Sequence, residues 1–480
     1  MNIFKFDINN IKIQKFFKEL FNTDVLEKLH HIYTEDNSRD VFNSFNDNTT
    51  YFHKHFIDNI DTFNELYIKL IETIFFEKYK NETFIVYQKY PSLRVSIPNN
   101  KSVGEIHCDS DYGHPEEEMN YWLPITTSNE INTLYYETQE NKGDFLPLLI
   151  NYGEIAEIYL NKCRHFSNIN TTDELRLSLD FRIIPGSSWE KIKNNLNSKK
   201  TKFAKIKFSL DNYYKKYEPN FYDYFINSYK YNDLICCKLF HYFRIYDELF
   251  KIKQLDNVNI LEIGVKMGGS IEMLTNYFKN LNKYIGIDIN KDCKKFENIF
   301  NNVNIYIGDQ ENIDFLNGLN IDNLDIVIDD GGHQFKQQIN SFNTLFTKLN
   351  DGGIYLIEDT HSSYDNYSNI YPKDNVYNGG RLKKDTTIEY FKLLSDEVTA
   401  WAYNNNHGTC PLYEPYSKTW YEFINKYDIT NNDLINILRD TIHSITFYDS
   451  IIVIKKKKKL MPYVIFNNNN NNYIFHDKKK

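Results

Sequence analysis

Apolar residues recur at helical spacing over about residues 10 to 80, in Ile11, Phe16, Phe17 and Leu20 and again in Phe63, Leu66, Tyr67, Leu70, Ile71 and Ile74. Recurrence every three and four residues buries one stripe of a helix, so residues 1–80 read as a helical flank without chemistry of its own. From Phe84 to Pro185 the period shortens. Runs such as Phe84-Ile85-Val86-Tyr87, Leu93 to Ile97, Leu134 to Glu137 and Arg176 to Ile184 alternate with Asn, Gly, Pro and acidic turns. Short strands in that order suggest an antiparallel barrel or jelly roll over residues 81–190. Lys191 to Lys205 is rich in Lys and Asn and reads as a polar helix and linker, taken as residues 191–225. After a helix near residues 232 to 252, five apolar runs of buried-strand length follow: Asn259 to Ile263, Tyr284 to Asp288, Asn304 to Ile307, Ile326 to Asp329 and Gly353 to Ile357. Their alternation with helical patterns predicts an α/β doubly wound parallel sheet over residues 226–460. The tail 461–480, with its Asn467 to Asn472 run, reads as low complexity and disordered.

Two domains also suit the size, because single cores stop growing near about 250 to 300 residues and this chain has 480. Hydrophobic residues make up 41% and aromatic residues 16%, with 38 Tyr and 35 Phe, so aromatic packing supplies much of the cores. The abundance of Asn, Lys, Ile and Tyr reads as a bias toward A+T-rich codons. A net charge of −9 provides no broad basic surface for a phosphate backbone, which argues against nucleic acid as a partner. The Lys455 to Lys459 run follows an apolar stretch and reads as a solvated strand end. Six scattered cysteines match neither a disulfide framework nor a zinc knuckle. With no signal-like N-terminus and no long uncharged apolar window, the expectation is no membrane and a cytoplasmic location, or the host cytoplasm for a viral source. A homo-oligomer is compatible with all of this.

Two sets of chemistry-bearing residues stand out. In the first, His107 and Asp109 form a His-x-Asp pair and His165 lies on a later strand. Two imidazoles and a carboxylate on one face of a ferrous ion leave open positions for an oxo-acid and dioxygen. Arg176 follows eleven positions after His165, with Ser178 two residues on and therefore on the same strand face. A guanidinium there can grip a carboxylate in two-pronged fashion, as the distal carboxylate of 2-oxoglutarate requires. His114, between Gly113 and Pro115, reads as a turn residue.

The wider run comprises His107-Cys108-Asp109, Glu118-x-Asn120-x-Trp122-x-Pro124, Asn132-x-Leu134 and Arg176-x-Ser178-x-Asp180-Phe181-Arg182. It resembles the Fe(II)/2-oxoglutarate dioxygenases related to the streptomycin-biosynthesis oxygenase family, across about residues 84 to 186. The resemblance implies a double-stranded β-helix (jelly roll), iron held by His107, Asp109 and His165, and 2-oxoglutarate held by Arg176 with Ser178.

The second set begins with Glu262-Ile263-Gly264-Val265-Lys266-Met267-Gly268-Gly269-Ser270, between a strand and a helix. Glycines there let a ligand approach the backbone and the helix N-terminus. Asp288 ends the next strand, where an acid can take ribose hydroxyls. Gly308-Asp309-Gln310 ends the third and suits an adenine edge, which favours S-adenosylmethionine over NAD. Asp330, Glu358 and Asp359 lie at later strand ends, a hard-oxygen set suited to Mg²⁺. His333 is placed to take a proton from an ion-polarised hydroxyl, and Asp329 reads alternatively as a helix cap. His361 is a candidate for the acceptor pocket.

From Leu261 to about Tyr364 the motif order resembles the macrocin-type, Mg²⁺-dependent sugar O-methyltransferases, which are class I, Rossmann-like enzymes. That resemblance implies Asp330, Glu358 and Asp359 as metal ligands and His333 as base. It also implies Glu262, Gly264, Gly268, Ser270, Asp288 and Asp309 around S-adenosylmethionine. Together the two resemblances imply a bifunctional tailoring enzyme that hydroxylates and O-methylates a sugar, glycoconjugate or small natural product. The alternative is a protein-modifying 2-oxoglutarate oxygenase carrying a methyltransferase-like binding module.

Overall fold

A computed structural model describes residues 1–32, 50–100, 105–196, 207–227, 234–364, 379–399, 432–459, 464–468 and 471–475. The chain divides into two compact units, Met1–Asn220 and Phe221–Lys480.

The first unit is built on antiparallel strands: β1 (Asn2–Lys5), β2 (Ile85–Gln88), β3 (Ser92–Ser96), β4 (Met119–Pro124), β5 (Leu134–Tyr136), β6 (Leu146–Pro147), β7 (Glu154–Ile158), β8 (His165–Ser167), β9 (Arg176–Pro185) and β10 (Tyr214–Tyr217). One sheet runs β1-β7-β4-β9-β2-β10, with β3 also paired to β9, and a second runs β6-β5-β8. Strand β9 is the spine. It pairs with β4 on one side, and on the other with β3 opposite residues 176–180 and β2 opposite 183–185.

Alternation along β9 sends Leu177, Leu179, Phe181 and Ile183 to one face, all with no exposed surface. The helix Ile60–Ile74 is among the elements that cover this face. Tyr67 packs edge-on against Phe181 with ring centroids 5.3 Å apart, and its hydroxyl donates to the Gln88 carbonyl at 2.8 Å. Burying each such large side chain is worth about 2 kcal/mol. The helix before it, Tyr51–Asp58, starts at Thr50, whose side chain accepts from the His53 amide. That cap is worth about 1 kcal/mol.

Two boundaries differ from the sequence reading. Residues 2–5, expected in the helical flank, form β1 and pair with β7, Ile3 opposite Ala156; four residues are too few to display a period. Residues 214–217, expected in the linker, form β10 against β2. Phe208, Tyr213 and Tyr214 lie within a Lys-rich average that hid them, yet Tyr214 is wholly buried.

The second unit has the expected doubly wound sheet. Its strands are β11 (Asn257–Ile263), β12 (Asn280–Asp288), β13 (Val303–Ile307), β14 (Leu324–Asp329), β15 (Leu349–Ile357), β16 (Ile442–Phe447) and β17 (Ile452–Lys456). They lie in the order β13-β12-β11-β14-β15-β17-β16. The first five are parallel, and β17 and β16 add an antiparallel edge. Apolar residues on the sheet and its helices, including Leu261, Ile285, Val327, Phe342 and Tyr355, form one buried cluster. The strand order reverses between β11 and β14, and open α/β sheets bind ligands beyond the carboxyl ends of strands at such a reversal.

In the lysine run Lys455, Lys457 and Lys458 are exposed, as a solvated strand end should be, while Lys456 is half-buried. Lys456 Nζ donates to the carbonyls of Phe346, Thr347 and Leu349 at 3.2, 3.0 and 2.7 Å, closing a helix C-terminus with a positive charge. The tail expected to be disordered contains β18 (Val464–Asn468) and β19 (Asn471–Phe475), paired with Asn467 opposite Asn472. Apolar and aromatic strand formers flank the asparagines there. Among the described residues no helix is long and apolar enough to cross a membrane.

Candidate functional sites

In the first unit the second face of β9 is polar and buried. Arg176, Ser178, Asp180 and Arg182 share it by two-residue spacing, and Arg176, Ser178 and Arg182 are between 0 and 6% exposed. Register puts Asn120 opposite Arg182. An isolated backbone pairing between His107 and His165 brings those two rings to 4.4 Å between centroids.

His107, Asp109 and His165 each offer a donor atom, all within 4.8 Å of one another. The surrounding hydrogen bonds leave the right atoms for an ion. His107 Nδ1 faces the Glu105 carbonyl at 2.8 Å and His165 Nδ1 faces that of Cys163 at 3.4 Å, which favours metal-ready Nε2 on both rings. Asp109 Oδ2 accepts from Asn120 Nδ2 at 2.7 Å and from Arg182 Nε and Nη2 at 2.9 and 2.8 Å. Its Oδ1 remains on the side of His165 Nε2, 3.7 Å away. Burial opposes ionisation of Asp109, but Arg182, His114 and His165 outweigh it and hold the carboxyl well below the usual range. Burial pushes the His165 imidazole down to about 4, against the pull of Asp109. One carboxylate and two imidazoles fit a facial triad.

Arg176 and Ser178 adjoin this cluster. Arg176 Nε donates to the Asn132 carbonyl at 2.9 Å, and Nη1 donates to Ser178 Oγ. The guanidinium lies over the Trp122 ring, 5.7 Å from its centroid. Arg94, His107, Asp109, Trp122, His165 and Arg176 border one small cavity, so a buried cation stands in the cavity that the three donors face. His114 is directed elsewhere: its Nδ1 meets Glu118 Oε2 at 2.7 Å.

In the second unit a cavity of about 540 Å³ opens at the reversal of strand order. Gly264, Ser270, Asp288, Asp309, Asp330, His333 and Asp359 all border it. Gly264 has φ 92°, and a Cβ there would overlap the Asp330 carbonyl; only glycine lets β11 turn beside β14. Asp288 Oδ2 accepts from the Lys266 amide at 2.7 Å, tying the glycine turn to β12. Glu262 and Gly268 lie outside the cavity lining. Glu262 Oε2 accepts from Ser270 Oγ at 2.7 Å and from the Tyr284 hydroxyl, so it braces the turn.

At one end of the cavity Asp330, His333 and Asp359 bring donor atoms within 4.8 Å of one another. His333 Nε2 is 3.4 Å from Asp359 Oδ2 and 3.8 Å from Asp330 Oδ1. Its φ of 58° places it in the left-handed turn after Gly331-Gly332. Tyr242 donates to Asp359 Oδ1 at 2.6 Å. Glu358, 1% exposed, has both carboxylate oxygens on Lys238 Nζ at 2.8 and 2.9 Å. Asp329 is no helix cap. It is fully buried and accepts from Gln310 and Ser341; Gln334 caps the following helix. His361, 46% exposed, is 3.9 Å from Asp359 Oδ1. The two carboxylates at this end suit a hard divalent ion, with the imidazole close beside them.

Sequence reasoning missed Lys238 and Tyr242, and gave no role to Arg182 or Asn120. The last two carry a signal, since they sit on strands at positions whose neighbours two residues away are polar. Lys238 lies 92 positions from Asp330, and no local pattern marks it.

No protein-family model matches the chain. Over 187 residues it is 29% identical to streptomycin biosynthesis protein StrG of Streptomyces griseus, across 39% of this chain and 85% of that protein. Over 135 residues it is 33% identical to 8-demethyl-8-alpha-L-rhamnosyl tetracenomycin-C 2'-O-methyltransferase of Streptomyces olivaceus, across 26% of this chain and 35% of that protein. The chain therefore spans about a third of that methyltransferase. Among solved structures it is similar to the MycE methyltransferase of the mycinamycin biosynthetic pathway, in complex with Mg and SAH, at 21% identity and a TM-score of 0.37, across 50% of this chain and 55% of that one.

Proposed function

We propose that the second unit is an S-adenosylmethionine- and Mg²⁺-dependent O-methyltransferase acting on a sugar hydroxyl, and the first an Fe(II)/2-oxoglutarate oxygenase. For methyl transfer, the observation that carries the reading is one cavity bordered by the glycine turn, Asp288 and Asp309 as well as by Asp330, His333 and Asp359. Its volume is in the range of cofactor sites. Similarity to the tetracenomycin rhamnosyl 2'-O-methyltransferase supports a sugar acceptor.

In this reading Gly264 and the backbone around it let the methionine portion approach β11, while Asp288 and Asp309 take the adenosine. Asp330 and Asp359, with Glu358, would hold the ion, which when bound would lower the pKa of an acceptor hydroxyl. His333 Nε2 takes the proton as the hydroxyl oxygen attacks the sulfonium methyl carbon. The bond to sulfur breaks and S-adenosylhomocysteine leaves. Holding both reactants in line can supply about 7 to 11 kcal/mol of such catalysis.

In the first unit His107, Asp109 and His165 would hold the iron, which with 2-oxoglutarate supplies dioxygen activation for hydroxylation. Arg176 holds the co-substrate's distal carboxylate, and Arg182 with Asn120 keeps Asp109 as a one-oxygen donor. The cluster geometry supports this half.

The test is transfer of label from methyl-labelled S-adenosylmethionine with Mg²⁺ into sugar-nucleotide and glycan fractions of a native-host extract, with and without Fe(II) and 2-oxoglutarate. Label in a glycan fraction is expected; its absence from every sugar fraction overturns the acceptor class. Succinate formed from 2-oxoglutarate by the wild type, and lost in Asp109→Ala, is the matching readout for the first unit.

A further inference from the structure

One buried cation at the methyl-transfer site is absent from the ligand set implied by resemblance. The Lys238 side chain is 3% exposed. Its Nζ donates to Asp330 Oδ2 at 2.5 Å and to Glu358 Oε1 and Oε2 at 2.8 and 2.9 Å. Burial opposes its charge, but Asp330, Glu358 and Glu262 outweigh burial and keep it an ammonium.

The backbone fixes this placement. Ile235 pairs with Gly268, and a Cβ on Gly269 would overlap the Ile235 and Cys236 backbone. Ile235, Cys236, Cys237 and Lys238 then border the cavity.

An Mg²⁺ ion binds carboxylate oxygens at about 2.0 to 2.1 Å. If it takes Asp330 and Glu358, it competes for oxygens that the ammonium already holds, and two cations on one carboxylate repel strongly in a buried site. We propose that Lys238 is the cation of this acidic site when no divalent ion is bound, and that ion binding expels its ammonium from Glu358. Ion entry and lysine exit are a single exchange. This rests on the Mg²⁺ reading above. It also assigns Lys238 a role in ion affinity, because the ion must displace a charge already in place. The exchange leaves the cluster of Asp330, Glu358 and Asp359 less negative than the lysine alone does.

The test uses the full chain and a lysine-acetylating reagent, with acetylation of Lys238 read by peptide mass spectrometry in the absence and presence of Mn²⁺. Mn²⁺ binding is followed in parallel by electron paramagnetic resonance. Without the ion, Lys238 should label far more slowly than exposed lysines. With the ion bound, its labelling should rise by about tenfold or more, because a buried paired amine becomes a solvated one. In Lys238→Met, Mn²⁺ should bind about tenfold more tightly, since nothing has to be displaced. Bound Mn²⁺ with Lys238 still protected overturns the exchange and makes the lysine a permanent partner of Glu358, with the methyl-transfer reading intact. Absence of Mn²⁺ binding by both proteins overturns the exchange together with the metal reading on which it rests.

Discussion

Asp109 and Arg182 meet through two guanidinium nitrogens, at 2.9 and 2.8 Å, on the one carboxylate oxygen that turns away from His165. The pair is buried on both sides, so Arg182 fixes which oxygen of Asp109 is offered to an ion. Arg182→Met strands a buried carboxylate. The expected cost is about 3 to 5 kcal/mol of stability, measured by denaturant unfolding, with weaker binding of Ni²⁺ or Co²⁺ by whatever protein remains folded. Unchanged metal affinity would separate Arg182 from the site.

Arg176→Lys keeps the charge and loses the fork. A lysine cannot at once satisfy the Asn132 carbonyl and grip a carboxylate with two donors. The concentration of 2-oxoglutarate needed for half-maximal succinate formation should rise about tenfold or more, as expected for loss of a charged hydrogen bond, while metal binding persists.

His333→Ala should reduce methyl transfer by about 10² to 10⁴-fold, the usual range for a general base. Binding of S-adenosylhomocysteine, followed by calorimetry, should stay close to wild type, because the glycine turn and Asp288 are untouched. A parallel collapse of cofactor binding would mean that His333 supports the cavity and does no proton transfer.

Gly264→Ala introduces a Cβ against the Asp330 carbonyl at a backbone angle of φ 92°. Strain and overlap together should cost at least about 2 kcal/mol, visible as a lower melting temperature, and should abolish cofactor binding even in the folded fraction.

Thiol chemistry should distinguish the cysteines of the second unit. Burial pushes the Cys236 and Cys293 thiols up to about 12, whereas Cys237 is exposed. At pH 8, iodoacetamide should modify Cys237 and spare the other two. Because the folded values are raised, the stability these thiols contribute is full below the unfolded value of about 8.5 and declines as pH rises toward 12. Rapid labelling of Cys236 at pH 8 in the native protein would contradict its burial.

Much of the architecture was legible because buried parallel strands announce themselves as continuous apolar runs. Asn259 to Ile263, Ile326 to Asp329 and Gly353 to Ile357 fall within β11, β14 and β15. Residues from distant strands were harder. Asp109 and Arg182 are 73 positions apart, and only the sheet register and the turn after residue 107 bring them together. The polar alternation of β9 misleads, because Arg, Ser, Asp and Arg in register usually mark a wet face; here the polar face is covered too. Lys238 owes its place to a backbone pairing between Ile235 and Gly268, for which neither residue type has any preference. Composition hid β10, since three aromatic residues were averaged with the lysines around them.

The polar face of β9 also bears on how this unit tolerates change. Arg176 and Arg182 are at once the wall of the cavity and part of the buried interior, and with Ser178 each is satisfied by another member of the same row or its neighbours. Sequence drift along this strand therefore has no harmless single steps. Altering one residue orphans another, and the two must change together or not at all. A screen for inactive variants will consequently recover β9 substitutions mostly from the insoluble fraction.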